Sequence, residues 1–266
     1  MKNRMSIKLT NQKISITIKL TLTIFAISNI FAKCTDDQNI PKDSIYPKVS
    51  ALNFSEQYLL AVKSDQSFIA YQDTLASLNL ILLKKELDTF DKGLCFWINM
   101  YNATVQSKAK NDTTTFKDRN AFFKDANISI GGAKLSIDNI EHNILRGKKE
   151  GENEFTASFK LNKLDNRLHF ALNCGAAACP PIAFYSADKI NEQLDLAEEV
   201  FIRSVSKFDT ISGVLDTSKI LDWYIDDFGG ETGIIDLMKK HGILGSQTIS
   251  KITYTPYDWT LDLNNY

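Results

Sequence analysis

The stretch Cys95-Phe96-Trp97-Ile98-Asn99-Met100-Tyr101-Asn102-Ala103-Thr104-Val105-Gln106 decides how the rest of the chain folds around it. At about 100° per residue its apolar side chains cover most of a helix circumference, which predicts a buried helix over residues 89–108. Cys95, Asn99, Asn102 and Gln106 fall within one narrow strip of that helix. Buried amides cost free energy unless hydrogen-bonded, so something polar must face the strip. Two readings stay open: Asn99 and Asn102 bond loop backbone, or they line a substrate site.

On the N-terminal side, Phe54, Tyr58, Leu59 and Val62, then Leu75, Leu78, Ile81 and Leu82, keep helical spacing and predict two or three helices. On the C-terminal side, Gly131-Gly132 between two short apolar runs predicts a hairpin over residues 128–137. Asp138 then caps a helix to about residue 146. Residues 168–172 alternate as a strand does, and residues 186–205 form an amphipathic helix. Helices over 218–228 and 232–241 and a β-like segment over 248–255 complete the chain. This mixture predicts an α+β fold, a single globular domain rich in helix with a small antiparallel sheet, rather than a regular βαβ series. A distant likeness to papain- or transglutaminase-like domains is part of that expectation.

The first fifty residues read differently. Lys2, Arg4, Lys8, Lys13 and Lys19 precede an apolar stretch over 20–32, with no acidic residue before Asp36. That is the pattern of a secretory signal, and the stretch is too short to cross a hydrocarbon core of roughly 30 Å as a helix. The expected organisation is a signal over 1–33, a polar tether over 34–50 and one α+β domain over 51–266. Cys34 opens the tether, where a lipidated cysteine would lie, although Lys33 replaces the small residue such a site normally has. Anchored and unattached exported forms both stay open. The protein is therefore expected in the periplasm, tethered to an outer membrane, or secreted, touching membrane only through a lipid. With 31 basic against 32 acidic side chains and no basic face, a nucleic-acid partner is excluded.

Two further segments carry candidate chemistry. In residues 138–146, Ile137, Ile140, Ile144 and Leu145 define an apolar arc, and Glu141 projects into the middle of it. A carboxylate there needs a cation or donor, with Arg146, Arg167 or a histidine the expected partner. Asp138, His142 and Arg146 stack at i, i+4 spacing along the edge. In residues 167–181, His169 precedes a turn of small residues holding Cys174 and Cys179. A thiol near an imidazole is the plan of an activated nucleophile, and a local Cys174–Cys179 disulfide is the plainer alternative. Zinc held by His142, His169, Cys174 and Cys179 matches no common spacing, so no metal or other cofactor is expected. His241, before Gly242, reads as a helix C-terminal residue favoured by the dipole.

Read together, these segments resemble a known family. Phe96-Trp97-Ile98-Asn99-Met100-Tyr101-Asn102-Ala103, Ile140-Glu141-His142 with Leu145-Arg146, and His169-Phe170-Ala171-Leu172 followed by Cys174 and Cys179-Pro180 are similar to the family of domain of unknown function 547. Trp223-Tyr224, Asp227-Phe228-Gly229 and Tyr257-Asp258-Trp259 agree further. The resemblance implies an envelope or secreted domain without an established activity. Cys95 stands where that family tends to carry a small residue, which leaves Cys174 as the better shared nucleophile.

The expected function is accordingly a thiol-dependent hydrolase or acyl-transferase of the cell envelope. Cys174 would be its nucleophile, His142 the base and Glu141 the group orienting that base. His169, Asn99, Asn102 and Arg146 would surround the substrate. A non-catalytic envelope module with a Cys174–Cys179 disulfide is the competing reading, and redox exchange at the two cysteines is the third.

Overall fold

The computed structural model describes residues 49–265. The expected signal, the tether and Cys34 lie outside the described residues. No helix among those described is long and apolar enough to cross a membrane.

The helix expected over 89–108 runs Phe90–Asn111. Thr89 starts it, its hydroxyl accepting from the Lys92 amide at 3.3 Å. Every residue from 93 to 107 is buried, as an all-round apolar helix requires. Ala51–Lys63 (α1), Ile69–Ala76 (α2) and Leu80–Glu86 (α3) precede this central helix, α4. Tyr58 of α1 reaches Ser107 of α4 at 2.9 Å, and Trp97 meets Phe155 and Phe159 edge-on. After a short 3-10 turn, Arg119–Lys124 forms α5.

The hairpin pairs Ile128–Ile130 (β1) with Ala133–Leu135 (β2), antiparallel. Its turn residues Gly131 and Gly132 both have positive φ, 54° and 84°, which only glycine adopts without strain. A Cβ on Gly131 would also lie 2.3 Å from Leu80.

Two local expectations are corrected. Asp138 does not cap the next helix. Ser136 Oγ accepts from the Asn139 amide and Asn139 Oδ1 accepts from the Ser136 amide, each at 3.0 Å. This reciprocal pair leaves the Asp138 carboxylate free of the cap and placed in the wall of a cleft. Residues Asn139–Leu145 then form a π-helical turn, with the Arg146 amide bonded to the Glu141 carbonyl five residues back at 2.9 Å. Such wide turns are uncommon and often sit at functional sites. The strand expected over 168–172 is instead a 3-10 turn, Asn166–Phe170. Asp165 accepts from the Arg167 amide at 3.1 Å and also holds the Arg167 side chain, so capping outcompetes the apolar alternation.

Glu154–Phe159 (α6) precedes that turn, and Ile190–Val205 (α7) follows the cysteine loop. Lys207–Asp209 (β3), Val214–Ser218 (β4) and Lys251–Thr255 (β5) make a three-stranded sheet in the order β3-β4-β5. The first pair is antiparallel and the second parallel. Lys219–Trp223 (α8), a 3-10 turn over Ile225–Phe228 and Gly230–Lys240 (α9) lie between β4 and β5. The fold is therefore α+β and helix-rich, with a mixed sheet beside the hairpin. His241 does more than terminate α9, since it is buried and meets Glu198 of α7 at 2.8 Å.

Two apolar clusters result. One surrounds α4; the other gathers Phe170, Phe201, Ile220, Leu221, Phe228, Ile234 and Met238. Tyr257 packs against both. The seam between them opens to solvent as a cleft.

Candidate functional site

The cleft has a volume of about 320 Å³, and its walls include Asp138, Glu141, His142, His169 and Cys174. Segments far apart in sequence thus converge on one place, together with Tyr101, Arg119, Trp223, Tyr224, Tyr257 and Trp259.

Its acidic end is built on the π-helical turn. Glu141 is buried and accepts from the Tyr224 hydroxyl at 2.6 Å, with the buried Tyr101 phenol beside it. Burial, then the adjacent Glu141 charge, pushes both phenols well above their usual range, so both stay protonated. The expected partners of Glu141 are engaged elsewhere. Arg167 holds Asp165 and Asp195, and Arg146 Nε donates to Asp227 at 2.6 Å. His142, another expected partner, comes near, its Nδ1 3.6 Å from Glu141, beyond good hydrogen-bond geometry.

Arg146 organises both histidines. Its guanidinium donates to His142 Nδ1 at 2.9 Å and lies over the Tyr224 ring at 4.6 Å. A neutral His142 therefore carries its proton on Nε2, the nitrogen 4.0 Å from Asp138. Burial raises the Asp138 carboxyl, with His142 acting against that shift and Glu141 adding to it. His169, stacked on Tyr224 at 3.9 Å, donates through Nε2 to Asp227 at 3.0 Å. Asp227 also accepts from Lys148 at 3.0 Å.

The other end carries the cysteines. Cys174 and Cys179 are joined as a disulfide, with Cα atoms 6.3 Å apart. Cys174 is half-buried, whereas Cys179 is buried. Gly175, with φ 90°, lets the chain turn back between them. The Tyr257 hydroxyl lies 3.3 Å from Cys174 Sγ and 3.1 Å from Cys179 Sγ, and the Cys174 amide donates to Cys179 Sγ at 3.0 Å. Burial pushes the Tyr257 phenol above its usual range, so it too donates. Among the described residues, neither imidazole hydrogen-bonds a sulfur.

The α4 amides position this loop without lining the cleft. Asn99 and Asn102 are fully buried. Asn99 exchanges two bonds with Tyr185 backbone, at 2.8 and 3.1 Å. Asn102 donates to the Ala171 carbonyl at 2.9 Å and accepts from the Asn173 amide at 2.8 Å. Asn99 and Asn102 thus bond loop backbone, and Gln106 reaches the Asn173 side chain at 3.4 Å. Asn173 continues the clamp, accepting from Gly175 and donating to the Pro180 carbonyl. Cys95 donates to the Tyr185 carbonyl at 3.2 Å, and burial pushes its thiol up to about 12, so it is inert.

The C-terminal segment supplies the remaining wall. Ala177 and Ala178 amides bond the Thr260 and Asp258 carbonyls, which sets Tyr257 over the sulfurs. Trp223, Tyr257 and Trp259 pack mutually, with centroids 4.7 to 5.7 Å apart. Among the described residues, no group of three or more His, Cys, Asp or Glu side chains converges as a metal ion would need.

Tyr101, Tyr224, Asp227 and Tyr257 were missed as site residues by motif chemistry alone. The signal for the last three was their place in the ordered motifs Trp223-Tyr224, Asp227-Phe228-Gly229 and Tyr257-Asp258-Trp259. Tyr101 lies about 200° round α4 from Asn99, so attention to the amide strip looks away from it.

The family model described as "Protein of unknown function, DUF547" matches residues 85–202, and the chain resembles that family. The match contains Tyr101, Glu141, His142, His169, Cys174 and Cys179; the aromatic wall lies beyond it. No match was found among curated proteins or among solved structures.

Proposed function

We propose that this protein carries out thiol–disulfide exchange at Cys174–Cys179, outside the cytoplasm. The observation that carries the reading is the distribution of donors around the two sulfurs. The half-buried Cys174 lines the cleft; the Tyr257 hydroxyl reaches both sulfurs, slightly nearer Cys179, and the Cys174 amide donates to the buried Cys179. A substrate thiolate in the cleft attacks Cys174 Sγ. The S–S bond breaks, and its electron pair leaves on Cys179, where the two donors stabilise the thiolate. A low-pKa leaving sulfur accelerates such exchange. A second substrate thiol then attacks the substrate sulfur of the mixed disulfide and releases Cys174. Two electrons and two protons have then passed from the dithiol to the pair, and exchange with another disulfide reverses the change. Export, supported by the basic and apolar N-terminal pattern, suits a compartment in which disulfides persist.

Hydrolysis or acyl transfer by a Cys174 thiol is the second reading, favoured by the sharing of one cleft with Glu141 and His142. It fits the geometry less well. His142 Nδ1 is occupied by Arg146 and its other nitrogen is protonated, while His169 is bonded to Asp227.

The test uses the oxidised protein and a reduced dithiol peptide. Stoichiometric peptide oxidation is expected, and Cys174→Ser should abolish it. Tyr257→Phe should slow it on the order of tenfold, the worth of one hydrogen bond to a charged group. Failure of the peptide to oxidise, with Cys174–Cys179 intact afterwards, overturns the proposal and favours a structural disulfide.

A further inference from the structure

We infer that the exchange partner is a peptide or protein thiol bearing an aromatic side chain next to its cysteine, an inference that rests on the exchange reading above. The half-buried sulfur of Cys174 shares its cleft with a wall of three rings. Tyr257, the ring that hydrogen-bonds both sulfurs, is also the ring in contact with Trp223 and Trp259, at centroid distances of 4.9 and 4.7 Å. Reactive sulfur and aromatic surface are therefore one side chain apart.

The wall is held from one side and, among the described residues, is partly open to solvent at Trp223. The Arg119 guanidinium lies 4.8 Å from the Trp259 ring centroid, and this cation–π contact fixes that ring. Trp223 is 44% exposed, although it is one of the largest apolar side chains in the chain. An exposed aromatic beside a reactive group in a concave site marks a binding surface more than a lone surface tryptophan would.

The size and chemistry of the cleft narrow the class. About 320 Å³ holds a cysteine side chain and one neighbouring ring, not a folded surface. Rings meeting edge-on or tilted reward another aromatic side chain. A saccharide would also stack on this wall, but it carries no thiol and gives the adjacent disulfide nothing to exchange with.

The experiment compares two dithiol peptides that differ only in Phe or Ser beside the first cysteine. Each is mixed with the oxidised protein, and two quantities are read: the rate of peptide oxidation and the affinity, from tryptophan emission. The Phe peptide should be oxidised about tenfold faster, as an aromatic contact in a specific pocket provides. Trp223→Ala should collapse the ratio between the two peptides toward one. Equal rates in the wild-type protein overturn the inference and leave the exchange reading standing. A full ratio retained in Trp223→Ala overturns the assignment to this wall. If neither peptide is oxidised, the exchange reading fails, and the affinities still decide: equal binding of the two peptides overturns the aromatic preference as well.

Discussion

Asp227→Ala is expected to destabilise the fold by about 3–5 kcal/mol, the range for stranding buried charged partners. The Asp227 carboxylate is 1% exposed and accepts from His169, Arg146 and Lys148 at 3.0, 2.6 and 3.0 Å. Its removal leaves a largely buried guanidinium and a buried imidazole without their acceptor. Burial alone would raise this carboxyl, but the bonds from His169, Arg146 and Lys148 outweigh it and hold it well below the usual range. Its stabilisation is therefore present above about pH 4 and is lost as the pH falls through the depressed value.

His169 adds an earlier stage on the same acid side. Burial pushes its imidazole below the ordinary value, with the Asp227 bond acting the other way. The folded protein then stays neutral at His169 while the unfolded chain takes up a proton below about pH 6.5. That contribution is complete above pH 6.5 and fades as the pH drops toward the folded value. Urea unfolding between pH 8 and pH 4 should show this decline, and His169→Gln should remove its first part. A wild-type stability unchanged from pH 8 to pH 5 would contradict the burial of a neutral His169.

Glu141→Ala should cost on the order of 3 kcal/mol, because the half-buried Tyr224 loses its acceptor and the buried Tyr101 phenol loses the carboxylate beside it. Glu141→Gln should cost less, since its amide oxygen still accepts from Tyr224. Thermal melts of both variants check the order. An alanine variant that melts with the wild type would mean that Glu141 is solvated.

That carboxylate also shows how far the sequence could be read. Its burial was legible from Ile137, Ile140, Ile144 and Leu145 around it, because periodicity reports which face is covered. Its partners were not legible, since Tyr224 arrives from 83 residues away and Arg146 is drawn off by Asp227. The buried α4 and the Gly131-Gly132 hairpin were legible for the same local reason. The demand of Asn99 and Asn102 for partners was also visible, although the identity of those partners depends on where the 171–185 loop lies. Residues 168–172 misled because strand-like alternation there competes with an Asp165 cap. The parallel pairing of β4 with β5 and the approach of Tyr257 to the cysteines are long-range events that no local pattern encodes.

The central claim is that Cys174 exchanges with substrate while Cys179 acts as the leaving and resolving sulfur. The most direct measurement incubates reduced Cys179→Ser and reduced Cys174→Ser with excess glutathione disulfide and maps adducts by mass spectrometry. Cys179→Ser should accumulate a stable mixed disulfide on Cys174, because the resolving thiol is gone. Cys174→Ser should leave the buried Cys179 unmodified, and Cys95, buried with its thiol pushed up to about 12, should stay unmodified in both. Cys179 modified as readily as Cys174, or no adduct on Cys174 at all, would contradict the assignment.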